Sequence, residues 1–220
     1  AKARQARAGL AHGPELGHLP SVADSVSKVF TDIYADGVWG TGSGPGSASH
    51  ETIAYRAFLQ GFLQWNGVRR VVDVGCGDWQ FSRFIDWSGV DYTGVDVVAP
   101  VIEANRARFG SGYVRFELTD GRFEKLPDAD LLIAKDVLQH LDTRRIQWFL
   151  AAAERYPLVL VTNTAEPIGR TNAVIKNGEF RPVDLRAKPF HLDTTVVFAF
   201  WGTAGRQEVH LIDNRGRGRP

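Results

Sequence analysis

The stretch VVDVGCGDWQ, residues 71–80, decides how the rest of the sequence is interpreted. Three of its first four residues are valines, which favour a short buried strand. Two glycines, Gly75 and Gly77, follow directly, and glycine lets another group lie close to the backbone. A strand that ends in a glycine turn before a helix start is typical of an anion- and nucleotide-binding corner, because free N–H groups point outward there.

Strands and helices alternate along the chain after residue 69. Two runs rich in β-formers, 194–201 and 207–212, flank the sequence GTAG and predict an antiparallel hairpin at the end. We therefore expect an α/β fold, a three-layer sandwich whose mostly parallel seven-stranded sheet ends in that hairpin. The parallel strands are predicted at 71–74, 91–98, 113–118, 130–137 and 158–162, with helices beginning at Asp78, Pro100 and Asp142.

We predict one domain over residues 21–212, between a flexible N-terminal tail, 1–20, and a flexible basic tail, 213–220. Within it, residues 21–66 form a helical cap with helices near 21–36 and 50–65. Residues 163–193 form a polar segment without a predicted helix, and such long segments often cover substrates. The apolar face expected for the second cap helix comprises Ile53, Ala57, Phe58, Phe62 and Trp65.

Composition narrows the possible partners and the compartment. The formal net charge is +1, so binding to nucleic acid is not expected, although basic residues at both ends keep it as an alternative. Cys76 is the single cysteine, which excludes an internal disulfide and favours the cytoplasm. No apolar run is long enough to span a membrane. The oligomeric state stays open.

Four pieces of sequence resemble the class I S-adenosylmethionine-dependent methyltransferases: DVGCG, GVDVV, LTDGR and DLLIAKDVLQHL. The resemblance covers about residues 70–162 and the terminal hairpin. The acid Asp73 stands before the glycines, as in that family. The family often has a third glycine where this chain has Trp79, so the turn departs from its pattern. NAD-dependent dehydrogenases are the alternative, but their third glycine would fall at Gln80.

The resemblance implies a role for each matching residue, with S-adenosylmethionine as the cofactor. The carboxylate of Asp96 would bind both ribose hydroxyls, at the end of the second strand. The remaining cofactor-binding residues would be Asp73, Gly75, Cys76 and Gly77 at the methionine end, Val97, Asp120 and Gly121 at the adenine, and Lys135 near the sulfonium.

Three other residues are candidates from their own chemistry. His140 would accept a proton from the methyl acceptor, or it is a structural histidine. Asp136, four residues earlier, would share a helical face with it and act in the same proton transfer. Two such residues do not make a metal site, so no metal is predicted. Arg56 would bind the cofactor carboxylate, or it is a solvated surface residue.

Taken together, the residues and the resemblance predict an enzyme that transfers a methyl group to a small polar acceptor, at oxygen or nitrogen. The polar composition of 163–193 suggests a sugar-like or amino-bearing acceptor, as in natural-product or sugar metabolism. Two alternatives remain: methylation of RNA or protein, and a catalytically silent nucleotide-binding protein.

Overall fold

The computed structural model describes residues 22–166 and 170–216. The predicted N-terminal tail, 1–20, therefore lies outside the described residues, as does the end of the basic tail, 217–220.

A seven-stranded sheet forms the centre of the molecule, with the order β3-β2-β1-β4-β5-β7-β6. Strands β1 to β5 pair in parallel, whereas β7 pairs antiparallel with both β5 and β6. The predicted α/β sandwich with its terminal hairpin is confirmed. The strands are β1 Arg70–Val74, β2 Asp91–Asp96, β3 Val114–Leu118, β4 Leu131–Lys135, β5 Leu158–Glu166, β6 Thr195–Gly202 and β7 Gly205–Asp213.

Helices cover both faces of the sheet because its strands are apolar on both sides. Val71 of β1 packs in a cluster with Leu59, whereas the next residue, Val72, packs in a second cluster with Phe149. These two clusters are the two halves of the core. The helices are α1 Val22–Ala35, α2 Ile53–Trp65, α3 Ala99–Phe109 and α4 Thr143–Ala153.

Two local predictions were wrong. No α-helix follows Asp78, because Trp79 has a φ of 58° and only a single 3-10 turn, Ser82–Phe84, forms there. The buried face of α2 is also only partly the expected one. Phe62 is buried and Phe58 is partly buried, as expected, but Ile53, Ala57 and Trp65 are exposed. The helix also buries Tyr55, Leu59 and Leu63. Periodicity alone did not distinguish the two faces because this helix carries apolar residues around most of its surface.

The segment 170–193 contains no helix or strand. It is held against the chain that follows β4: the N–H of Gly178 donates to the carbonyl of His140 at 2.8 Å, and the N–H of Arg181 donates to that of Gln139 at 3.1 Å. The first residues of the predicted covering segment, from 163 to 166, are instead the end of β5. In the described part of the chain, every helix is too short or too polar to cross a membrane.

Candidate functional site

A cavity of about 260 Å³ opens at the carboxyl ends of β1 and β4. The sheet order reverses direction between these two neighbouring strands, since β2 and β3 lie on one side and β5 on the other. Open α/β sheets bind their ligands at such a point. The position of the cavity therefore follows from the topology.

The glycine corner forms the floor of the cavity. Gly75 and Gly77 both have left-handed backbone angles, with φ of 67° and 54°. A Cβ atom at Gly75 would lie 2.5 Å from the side chain of Val137, and one at Gly77 would lie 2.1 Å from Oγ of Ser43. The corner thus needs glycine because the chain itself packs against it, in addition to any ligand.

Asp73 lies beneath this corner, buried at the end of β1. The hydroxyl of Tyr92 donates a hydrogen bond of 2.7 Å to its Oδ2. Burial raises the pKa of Asp73 to about 7, although the bond from Tyr92 and the charge of Lys135 oppose that shift. The folded protein therefore holds the proton of this carboxyl group much more tightly than water-exposed aspartate does.

Asp96 ends β2 and faces the corner. Its Oδ2 accepts the N–H of Gly77 at 3.0 Å, and its Oδ1 accepts the N–H of Val98 at 3.0 Å. Burial raises its pKa against these two bonds. A carboxylate held by two backbone donors keeps further lone pairs on both oxygens, so it presents a fixed pair of acceptors to a ligand with neighbouring hydroxyls.

Next to Asp96 lies a largely apolar slot lined by Val97, Gly121 and Val26, with Arg145 beside it. A Cβ atom at Gly121 would lie 3.4 Å from Nη1 of Arg145, 3.5 Å from Val97 and 3.7 Å from Val26, which shows how narrow the slot is. The structure does not bring Asp120 into this slot. Its side chain accepts the N–H of Arg122 at 3.0 Å and closes a turn at the surface instead.

Lys135 and Asp136 stand on the opposite wall. The ammonium of buried Lys135 forms an ion pair with Oδ2 of Asp136 and donates to the carbonyl of Gly46 at 3.1 Å. It also lies over the rings of Tyr55 and Phe81, at 5.5 and 5.3 Å. Asp136 has a φ of 58°, and its buried Oδ1 has no partner. Strained backbone and an unpaired polar atom often mark functional sites.

His140 lines the same cavity, in a 3-10 turn rather than on a helix shared with Asp136. Its Nδ1 donates to the carbonyl of Glu179 at 3.1 Å, which leaves Nε2 as an acceptor in the neutral ring. Burial lowers the pKa of His140, so the ring is neutral at pH 7. The ring of Trp39 packs 5.0 Å away and fixes its orientation.

The other two candidates differ in their placement. Cys76 lines the cavity and is buried against Gly94, whose added Cβ would lie 2.9 Å from the sulfur. Burial raises the pKa of this thiol, so it is a small packing residue rather than a nucleophile. Arg56 does not line the cavity. Its Nη2 donates to the carbonyl of Ser49 at 2.9 Å, and its guanidinium lies over Phe84.

A glycine loop, residues 37–47, covers the corner. Oγ of Ser43 donates to Oδ1 of Asp78 at 2.6 Å and accepts the N–H of the same residue at 2.9 Å. The amide of Gln80 donates to the carbonyl of Thr41 at 3.3 Å. A Cβ atom at Gly42 would lie 1.9 Å from Asp78, so the loop fits closely onto the turn after β1.

Sequence reasoning missed most of the outer wall. Glu51 lies two residues before the start of α2, and Gln207 lies in β7. No motif marks them, because the fold brings these distant segments together only when the hairpin closes the sheet. From the polar segment 170–193, only Phe180 lines the cavity. The other outer lining residues are Ser47, Phe81, Phe200, Gly202, Thr203 and Ala204.

The described residues contain no group of three or more His, Cys, Asp or Glu side chains placed to hold a metal ion.

The glycine corner belongs to a segment of the chain that matches a known protein family. Residues 71–156 match the family model described as a methyltransferase domain. Uncharacterised methyltransferases of Mycobacterium tuberculosis and Mycobacterium bovis are 30% identical over 95 residues, which is 42% of this chain and 48% of each relative. The chain spans about half the length of the curated relatives it matches.

Solved structures share the fold over most of the chain. A Burkholderia thailandensis 1,6-didemethyltoxoflavin-N1-methyltransferase, with bound S-adenosylhomocysteine, is 20% identical with a TM-score of 0.62, covering 94% of this chain and 92% of that one. The DhpI–SAH complex is 17% identical with a TM-score of 0.57, covering 88% and 97%.

Residues 71–156, which include the glycine corner, thus match a methyltransferase domain, and the seven-stranded sheet has the fold of these solved structures. The predicted resemblance to the S-adenosylmethionine-dependent methyltransferases is confirmed.

Proposed function

We propose that this protein transfers a methyl group from S-adenosylmethionine to a small polar acceptor. The observation that carries the proposal is the placement of Asp96, a buried carboxylate whose two oxygens are held by backbone N–H groups beside an apolar slot. Such a carboxylate suits the two hydroxyls of a ribose, and the slot between Val97 and Gly121 suits a flat base.

The residues also fit the charged end of this cofactor. Asp73 and the glycine corner lie at the carboxyl end of β1, where a carboxylate favours a nearby sulfonium or ammonium. Phe81 adds an aromatic face that already lies near the ammonium of Lys135, and such faces attract cations. The methionine end of the cofactor would lie against Gly75, Cys76 and Gly77.

Bound S-adenosylmethionine supplies an electrophilic methyl group, which an acceptor lone pair takes as the carbon–sulfur bond breaks and its electrons stay on sulfur. The chain holds the acceptor in line, and this alignment supplies much of the rate. His140 takes the acceptor proton at Nε2, because its ring is neutral and its Nδ1 is already occupied. Asp136 fixes the ammonium of Lys135 and keeps one oxygen free for the acceptor.

A small acceptor suits a cavity of about 260 Å³ better than a macromolecule does. The glycine loop, the β6–β7 turn and Phe180 all contribute to its lining. The substrate named for the Burkholderia relative, 1,6-didemethyltoxoflavin, is itself a small molecule. A role in natural-product or sugar metabolism and a cytoplasmic location remain predictions from the sequence. Methylation of RNA or protein and a silent nucleotide-binding role remain the alternatives.

Calorimetry with S-adenosylhomocysteine tests the cofactor site. We expect wild-type protein to bind it and Asp96→Ala to bind about 100-fold more weakly or worse, because hydrogen bonds to a charged group contribute about 1.5–3 kcal/mol each. Asp91→Ala, at the exposed start of the same strand, is the control and should bind as wild type does.

Two results would contradict this proposal. One is the absence of S-adenosylhomocysteine binding by wild-type protein that is folded by circular dichroism. The other is unchanged binding in Asp96→Ala. A lysate assay with labelled cofactor then separates catalysis from silent binding, since only an enzyme incorporates the label into small molecules.

A further inference from the structure

The outer part of the cavity presents hydrogen-bond acceptors that lack donors. Oε1 of Gln207 is buried without a partner, while its Nε2 donates to Thr164 at 2.8 Å. Gln207 is only 5% exposed and lines the cavity. Oδ1 of Asp136 is likewise buried without a partner. Unpaired buried acceptors cost stability until a donor reaches them, so these atoms indicate a ligand that donates hydrogen bonds.

Glu51 adds a negative charge to the same wall. A Cβ atom at Gly202 would lie 3.7 Å from Gln207 and 3.9 Å from Oε2 of Glu51, so these three residues are close together. Glu51 has an ion-pair contact with a neighbouring side chain, that of His50. Nε2 of His50 lies 3.4 Å from Oε1 of Glu51, but the His50 side chain is 76% exposed. A pair this exposed is weak, which leaves Glu51 able to attract a cation in the cavity.

The charged residues that line the cavity also favour a cationic ligand. Its lining includes four carboxyl groups, Glu51, Asp73, Asp96 and Asp136. The cationic lining residues are Lys135 and Arg145, and both are engaged: Lys135 pairs with Asp136, and Arg145 donates to the carbonyl of Gly121 at 3.2 Å, beside the adenine slot. An acceptor with a negative charge would thus find no free cation at the outer wall formed by these described residues.

Aromatic rings complete this wall. Phe81 and Phe200 line the cavity near Lys135 and Gln207, and Trp39 and Phe180 flank His140 from the other side. Aromatic faces bind apolar groups and also attract cations. The wall therefore combines a carboxylate, free acceptor oxygens and aromatic surface, which is the chemistry that recognises an amine carried on an apolar body.

We propose that the methyl acceptor is a cationic amine with an aromatic or other apolar body, recognised by Glu51, Gln207 and Asp136. This inference rests on the proposed function, because it assigns the substrate class of that same cavity. Glu51 binds the ammonium form, and Gln207 and Asp136 accept its N–H groups. The ammonium nitrogen has no lone pair, so it first gives one proton to Nε2 of His140, and the neutral amine then takes the methyl group and becomes a methylated ammonium. Glu51 is thus a specificity residue that no sequence motif marks.

Matched probes of one size test this assignment: phenethylamine, phenethyl alcohol and hydrocinnamate, which differ in charge at one end. Their binding is measured by calorimetry or ligand-detected NMR, with and without saturating S-adenosylhomocysteine. We expect the amine to bind at least about tenfold more tightly than the other two. Glu51→Gln should remove most of that preference, whereas Glu103→Gln, on the exposed side of α3, should keep it.

The inference is overturned if the alcohol or the carboxylate binds as tightly as the amine, if none of the probes binds, or if Glu51→Gln keeps the preference. Failure of S-adenosylhomocysteine to bind contradicts the proposed function instead, and the probe series without it still reports on the wall. Gln207→Leu gives a second test. This substitution removes the unpaired Oε1 atom while keeping a side chain of similar size. It should weaken the binding of phenethylamine more than the binding of phenethyl alcohol.

Discussion

Asp73 is a carboxyl group whose pKa in the folded protein lies far above its value in water. It is buried at the end of β1, and burial raises its pKa from 3.8 to about 7. The folded state therefore binds more protons than the unfolded chain between these two values. The contribution of Asp73 to the free energy of unfolding is highest below about pH 4 and falls as the pH rises towards 7.

We predict that Asp73→Asn is stabilised relative to wild type as the pH rises. The asparagine keeps an oxygen for Tyr92 but cannot ionise, so it avoids the cost of a buried charge. The gap in unfolding free energy between the two proteins should widen by up to about 4 kcal/mol from pH 4 to pH 8, since one pKa unit corresponds to about 1.4 kcal/mol.

Urea unfolding at both pH values measures that gap. Asp91→Asn, which changes an exposed acid on the neighbouring strand, should show a gap that hardly depends on pH. A gap for Asp73→Asn that is equally flat would mean that the native carboxyl group titrates normally.

At the residue scale, the sequence predicts the residues around the glycine corner better than those of the outer wall, such as Glu51. Asp73, Asp96 and Gly121 lie in local motifs, and the structure brings all three to the cavity. Asp120 was expected beside them, but it closes its own turn because an aspartate followed by glycine readily does so. Glu51 carries no local signal, since its position depends on packing between distant segments.

At the scale of elements, the glycine loop is the segment that joins the cap to the cofactor corner. Its residue Ser43 bonds to Asp78, and Gly46 accepts from Lys135, so both walls of the cavity hold it. The glycine-rich composition of this stretch is typical of a flexible loop, and its hydrogen bonds to the rest of the chain are not visible from composition alone.

We predict that Gly42→Ala weakens S-adenosylhomocysteine binding by about tenfold more than Gly40→Ala does. Both glycines have left-handed backbone angles, so both variants carry the same kind of strain. Only the Cβ at residue 42 meets a neighbour, Asp78, whereas that at residue 40 meets nothing within 4 Å.

Calorimetry measures both affinities, and thermal unfolding confirms that both variants are folded. Equal losses in the two variants would show that backbone strain alone matters, and that the fit of the loop onto Asp78 contributes nothing to binding.

Helices and strands were predictable where the periodicity of apolar residues was clear and a capping residue marked where a helix begins. Asp142 caps α4 as expected, accepting the N–H of Arg145 at 2.8 Å. The stretch after Asp78 was not predictable in this way. Trp79 takes a left-handed angle and packs into the core against Tyr92, and this tertiary contact overrides a good helix-start pattern.

At the scale of the whole molecule, charge argues against a nucleic-acid substrate. The net charge is +1, and the cavity lining carries more carboxyl groups than cations. We predict no binding to a mixed single-stranded RNA near physiological salt, because such binding depends on neutralising many phosphates. A mobility-shift titration measures this. Micromolar binding that weakens steeply with added salt would instead favour the RNA methyltransferase alternative.

The overall topology was predictable because alternating strands and helices allow few arrangements. The insertion of β7 between β5 and β6 was not predicted, since a hairpin alone does not say which of its strands pairs with the sheet. The assembly of the cavity from both ends of the chain followed from that insertion and was visible only in three dimensions.

The family match ends at residue 156, whereas Glu51, Phe200 and Gln207 all lie outside it. If the proposed acceptor site is right, its wall is therefore encoded largely apart from the glycine corner and Asp96, which lie inside the matched segment. Substitutions in the flanking stretches would then change which recipient is methylated while leaving Asp96 and the glycine corner in place.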